Sequence, residues 1–141
     1  MLARLVIVSS IMMLGAFIAF YYALLAGAGE GEARSIAMSA IVFMEIVYIF
    51  SSRSLNKAAI GKGFFSNKWV FAGAGLTLLL QMSVIYLPVM NSLFKTEPIA
   101  LVGWLPILAA AGALFVIVEL EKVVMRRFSS QAQLYIHSVM P

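Results

Sequence analysis

The sequence predicts an all-α protein, an integral membrane four-helix bundle with antiparallel neighbours and both termini cytoplasmic. Three observations predict it. Apolar residues make up 63% of the 141 residues and charged residues only 11%, against about 25% charged in soluble domains. A chain of this length cannot bury so much apolar surface within itself, so a bilayer must supply the apolar solvent. The apolar residues also fall into four runs long enough to cross a bilayer, which takes about 20 residues as helix, and none shows the period-2 alternation of a membrane barrel. Finally, Lys and Arg gather in alternate segments between the runs, as they do in cytoplasmic loops.

Each element follows from these rules. Helices are expected over about 5–27, 36–52, 69–88 and 101–120, placing a four-helix transmembrane domain at 1–128 and a C-terminal tail at 129–141. The first run, Leu5 to Gly27, carries no charge. Arg4 before it and the small residues Ala26-Gly27-Ala28 after it resemble a secretory signal, but signal cores span about 7–15 residues and this one is longer, so a membrane span is expected. The second run, Ile36 to Ser52, holds one charge, Glu45; the third, Trp69 to Pro88, holds none; the fourth, Leu101 to Leu120, carries Glu119 at its end.

Arg53, Lys57, Lys62 and Lys68 lie between the second and third runs, Lys122, Arg126 and Arg127 follow the fourth, and Arg4 precedes the first. Glu30, Glu32 and Arg34, and then Lys95 and Glu97, occupy the other two connections. All five segments agree on termini inside and two short loops outside. Trp69, Tyr86 and Trp104 fall near span ends, and Tyr21 with Tyr22 near the outer end of the first, where amphipathic rings prefer the interface. In the basic loop, Lys57 to Ile60 are expected to form one helical turn and Asn67 to cap the third helix. Pro88 is expected to end the third span, and Pro106 to bend the fourth.

Glu45 is the candidate with chemistry. A charge at the centre of a membrane helix costs about 2.5–3.5 kcal/mol on insertion scales. Its neighbours at three and four residues, Ile41, Val42, Tyr48 and Ile49, offer one hydroxyl and no cation. A partner must come from another helix or another chain. Two readings stand: a cation ligand or proton carrier, or a neutral carboxyl hydrogen-bonded between helices. Gln81 in the third run is a weaker candidate, a donor to Glu45 or part of a polar seam, with an ordinary interhelical hydrogen bond as the alternative. Ser35 and Ser39 are expected to bond back to their own helix. Glu119, Glu121 and Lys122 suggest a local ion pair or a docking point at the inner end of the fourth span. His137, alone in the tail, makes no metal site.

Several classes are excluded. Cysteine is absent, so there are no disulfides or thiolate metal sites. Asp is absent too, so no Ser/His/Asp constellation exists. The glycines around Gly29 and Gly61 lack the rest of a phosphate-binding loop. The net charge of +4 is spread between spans without interleaved aromatics, so no nucleic acid is expected as a partner.

From Ala33 onward the sequence resembles the C-terminal membrane region of P-type cation-transporting ATPases, most of all the calcium-pump-like branch. The runs that carry the resemblance are Ala33-Arg34-Ser35-Ile36-Ala37-Met38, Tyr48-Ile49-Phe50-Ser51-Ser52-Arg53-Ser54, Asn67-Lys68-Trp69, Leu78-Leu79-Leu80-Gln81, Tyr86-Leu87-Pro88, Phe94-Lys95-Thr96-Glu97-Pro98, Trp104, and Val118-Glu119-Leu120-Glu121-Lys122. The resemblance implies that the four spans correspond to the last four helices of a ten-helix pump, and that Glu45 matches a glutamate that ligates calcium in pumps of the endoplasmic type.

What it implies is limited by what is missing. The phosphorylation, nucleotide and actuator domains and most ion-ligating helices have no counterpart here, and one carboxylate falls short of the 6–8 oxygens Ca²⁺ takes. The expectation is a membrane portion of such a pump, not an enzyme by itself, that braces the transport core and contributes Glu45 to a Ca²⁺ or other divalent-cation site shared with helices outside the chain. No cofactor is expected in the chain itself. The expected partners are the lipid bilayer and the remaining helices and cytoplasmic domains of a P-type ATPase or another membrane protein. The expected location is a multi-pass position in the membrane, the plasma membrane if the source is bacterial. Two alternatives remain open. One is a small proton-coupled exporter acting as a homodimer, although exporters of that kind carry their glutamate on the first helix. The other is a non-transporting assembly subunit.

Overall fold

The structure, a computed structural model, describes residues 2–52 and 68–139, with side-chain surroundings for 6–52 and 68–124. The basic loop, with its expected Lys57 to Ile60 turn and Asn67 cap, lies outside the described residues, as does the side chain of His137. Among the described residues all regular structure is helical: α1 (Leu2–Leu25), α2 (Glu30–Ser52), α3 (Lys68–Tyr86), α4 (Pro88–Phe94), a single 3₁₀ turn (Leu101–Gly103) and α5 (Trp104–Val139). Four helical stretches are long and apolar enough to cross a membrane, Val6–Leu25, Glu30–Ser52, Lys68–Tyr86 and, from the 3₁₀ turn into α5, Leu101–Val124.

α2 is the hub. α1 and α5 pack along it and against each other, while α3 leans on α2 from another side. In lipid there is no hydrophobic gain from bringing apolar helices together, so close packing and interhelical hydrogen bonds must hold them. The sequence supplies close packing by setting alanines among larger apolar side chains. Ala16, Ala19 and Ala23 of α1, Ala33, Ile36, Ala40 and Met44 of α2, and Ile107, Ala111, Leu114 and Val118 of α5 are all buried. Each set recurs every three or four residues, so each helix turns one stripe inward. Gly15 marks the closest approach: a β-carbon there would stand 3.0 Å from Met44 Sδ.

The α1–α2 corner is tight because of Gly27. Its N–H reaches the Leu24 carbonyl at 3.0 Å and the Ala28 N–H reaches the Ala23 carbonyl at 3.0 Å, the paired bonds of a Schellman motif. Gly27 adopts φ +88°, which a β-carbon would disfavour. α2 then begins at Glu30, a turn and a half ahead of the apolar run. The reason is electrostatic: Glu30 and Glu32 occupy its first turn, where the free amide groups favour negative charge.

At the far end of α3, Pro88 both ends one helix and starts another. It pushes Leu87 into an extended conformation (φ −84°, ψ 124°) and takes an initial position in α4, where its missing N–H is harmless. One carbonyl is orphaned, because Val84 would have bonded to the amide four residues on, which is Pro88. The Thr96 hydroxyl fills the vacancy at 2.9 Å, and Thr96 is 3% exposed. Lys95, with φ 52°, turns the chain back so that Thr96 arrives there.

α5 starts beneath Trp104, whose ring packs edge-on to Phe43 of α2 at 5.8 Å. Pro106 sits in the first turn of α5, among amides that need no intrahelical acceptor, so its missing N–H costs the helix no hydrogen bond. The segment set apart as a tail at 129–141 continues the α5 backbone to Val139. α5 therefore outruns the bilayer: the residues after Val124 add about 22 Å of helix.

Candidate functional site

Ser10, Thr77 and Ser83 bond back to carbonyls of their own helices, and three further groups of polar side chains in the spans stand out. The first is the seam between α2 and α3. Gln81 is buried and its Nε2 donates to Ser39 Oγ at 3.0 Å. Ser39 in turn donates to the Ser35 carbonyl at 2.7 Å. Ser35 Oγ donates to the Glu97 carbonyl at 2.6 Å and accepts from the Glu97 amide at 3.0 Å. A chain of hydrogen bonds thus ties α3 and the 95–100 loop to one face of α2. Gln81 serves this seam and makes no bond to Glu45.

The second place is the Ser52 end of the α2–α5 seam. Lys122 is one helical repeat beyond Val118 on the inward stripe of α5, and it is buried although charged. Its Nζ lies 2.6 Å from Glu119 Oε1 and donates to Ser51 Oγ at 3.0 Å. Ser51 donates to the same Glu119 oxygen at 2.9 Å. The triangle is closed within the chain, a local ion pair sealed by a serine that sequence reasoning did not single out.

The third place is Glu45. It lies one residue past Met44, so it points about 100° away from the buried stripe of α2. It lines an open-sided cavity of about 500 Å³ between α1 and α2, together with Ser9, Met12, Phe17 and Ile41. Glu45 is exposed and makes no hydrogen bond among the described residues. Along α2 it stands about 22 Å from the Glu30 end and about 10 Å from Ser52, well inside a bilayer whose core is about 30 Å thick.

Among the described residues no group of three or more His, Cys, Asp or Glu could hold a metal ion. In its cavity Glu45 has one further oxygen-bearing side chain, that of Ser9. The chain thus offers part of a hard-cation site and not the whole of one.

Residues 1–124 match the family described as "Cation transporting ATPase, C-terminus". The chain is 36% identical over 123 residues to "Probable cation-transporting ATPase F" of Mycobacterium tuberculosis, covering 87% of this chain and 14% of that protein. It is 32% identical over 113 residues to "Calcium-transporting ATPase 1" of Saccharomyces cerevisiae, covering 79% of this chain and 12% of that protein. To "Calcium-transporting ATPase type 2C member 2" of Mus musculus it is 29% identical over 107 residues, 76% of this chain and 11% of that protein. The chain therefore spans about one seventh or less of the length of these relatives.

Proposed function

Because the chain belongs to the cation-transporting ATPase C-terminal family, we propose that it acts as the closing membrane helices of a P-type cation pump, bracing the transport core and presenting Glu45 to the path of a divalent cation such as Ca²⁺. The observation that carries this reading is the orientation of Glu45. The buried serines, Gln81 and Lys122 all find partners inside the bundle, whereas this carboxylate stands at membrane depth on an open-sided wall with none. Lipid would penalise it. A protein surface bearing further oxygen ligands would complete it, and the chain's own deficit of ligands calls for such a surface. The calcium-transporting relatives favour a hard divalent cation as cargo, and carboxylate oxygen suits one.

The test is made in the membranes where the protein resides. Capture of the chain should bring with it an acid-stable aspartyl phosphate formed from ATP. Glu45→Gln should raise the cation concentration for half-maximal phosphoenzyme about tenfold or more, since a hydrogen bond or ligand contact from a charged group is worth about 1.5–3 kcal/mol. The stability of the bundle should stay within about 0.5 kcal/mol of wild type, as for surface positions without partners. No phosphoenzyme would overturn the pump assignment. A phosphoenzyme with unaltered cation dependence would remove Glu45 from the path while leaving the assignment in place.

A further inference from the structure

On the other side of α1, away from Glu45, an apolar groove of about 590 Å³ runs between α1 and α5. Gly15 and Tyr22 from α1 and Leu105, Pro106, Ala109 and Ala113 from α5 are among its lining residues. The small side chains along α5 leave the groove open. On α1 it extends from Tyr22 to Ile11 and on α5 from Leu105 to Ile117, about 16 to 18 Å along the helix axes. That is half the hydrocarbon thickness of about 30 Å, the depth of a single leaflet. A transmembrane helix from a partner would need a groove about twice as long. One acyl chain fits.

The groove leads into a second, smaller cavity of about 190 Å³ at the outer end of the bundle, where the chain turns from α1 into α2. Tyr22 and Pro106 line both. Glu32 is the charged side chain lining the smaller cavity. Its Oε1 accepts the Ala100 amide at 2.8 Å, while among the described residues Oε2 accepts no hydrogen bond. The nearby cation Arg34 is directed to the Lys95 carbonyl at 2.9 Å. A half-occupied carboxylate thus stands at headgroup level, directly above a leaflet-deep apolar groove.

We propose that this face binds one phospholipid with a primary ammonium headgroup, its acyl chain in the α1–α5 groove and its ammonium at Glu32. Charge complementarity selects the headgroup: an anionic headgroup would meet a carboxylate and no opposing cation in that cavity. Tyr22 lines both cavities and so stands at the junction between acyl chain and ammonium. The site is independent of Glu45, which faces the other groove of α1.

The test is native mass spectrometry of the full chain released from nanodiscs of equimolar phosphatidylethanolamine and phosphatidylglycerol. Wild type should retain phosphatidylethanolamine in excess by about twofold to fivefold, the range an exposed ion pair supplies. Glu32→Gln keeps an oxygen for the Ala100 amide and should bring the ratio to near one. Ala109→Phe should fill the groove and lower retention of both lipids without touching Glu32. Equal retention by wild type, or an excess that survives Glu32→Gln, would overturn the headgroup assignment. Lipid retention unaffected by Ala109→Phe would overturn the groove as the acyl site.

Discussion

Replacing Thr96 with valine keeps the shape of the side chain and deletes one hydroxyl. That hydroxyl is the donor to the Val84 carbonyl, at 2.9 Å, and the vacancy it fills is created by Pro88, which has no N–H to offer. Thr96 is 3% exposed and Val84 half-buried, so water has limited room to take over. A buried carbonyl left without a donor costs about 1–3 kcal/mol, so Thr96→Val should lower stability by about 2 kcal/mol. Thr96→Ser retains the hydroxyl and loses a methyl group, a change of about 0.8 kcal/mol. The assay is equilibrium unfolding in mixed micelles, titrated with a denaturing detergent and followed by circular dichroism. The expected order is wild type, then serine, then valine. If valine proves as stable as wild type, or more stable than serine, the hydroxyl is not replacing the amide that proline lacks.

Other outcomes follow from the remaining polar contacts. Lys122→Met should destabilise the bundle by about 2–4 kcal/mol in the same titration, the cost of breaking a buried pair reduced somewhat because Glu119 is partly exposed. Gln81→Leu should cost about 1 kcal/mol and broaden the distance distribution between spin labels on α2 and α3, because it removes the buried bond from α3 to Ser39.

The spans were legible in the sequence because hydropathy over a long window is insensitive to detail. Their ends were not, because helix termini are set by local chemistry. The Ala28 to Arg34 stretch reads as a short loop by composition, yet its two acids sit where a helix start favours negative charge, and α2 begins within it. Pro88 was legible as a break, but the short helix it opens was not, since proline serves equally well as a stop and as a first residue. The facing of Glu45 was hidden for a different reason. α2 is apolar nearly all round, so Ala37 and Ile41 on its side resemble Ile36, Ala40 and Met44 on the buried side, and periodicity gives no contrast to read. Ser51 and Thr96 were invisible as partners because both act across long sequence separations, on Lys122 and Val84.

The polar groups of the bundle divide by whether the chain itself completes them. Ser35, Ser39 and Gln81 lock α3 and the 95–100 loop onto α2, Ser51 with Glu119 and Lys122 locks α5 onto α2 near Ser52, and each set finds its partners within the chain. These bonds are the directional part of the cohesion in a medium where apolar burial supplies little, and they fix the rotation of α2 about its axis. Fixing that rotation also fixes where Glu45 points, because a helix cannot turn one residue without carrying its neighbours 100° with it. The closed networks on either side of α2 therefore hold the Glu45 carboxylate toward the cavity between α1 and α2. Loosening Gln81 or Lys122 should be felt at Glu45 though neither touches it, and a rotation of α2 in those variants, read from labels at Ile41 and Ile49, would show it directly.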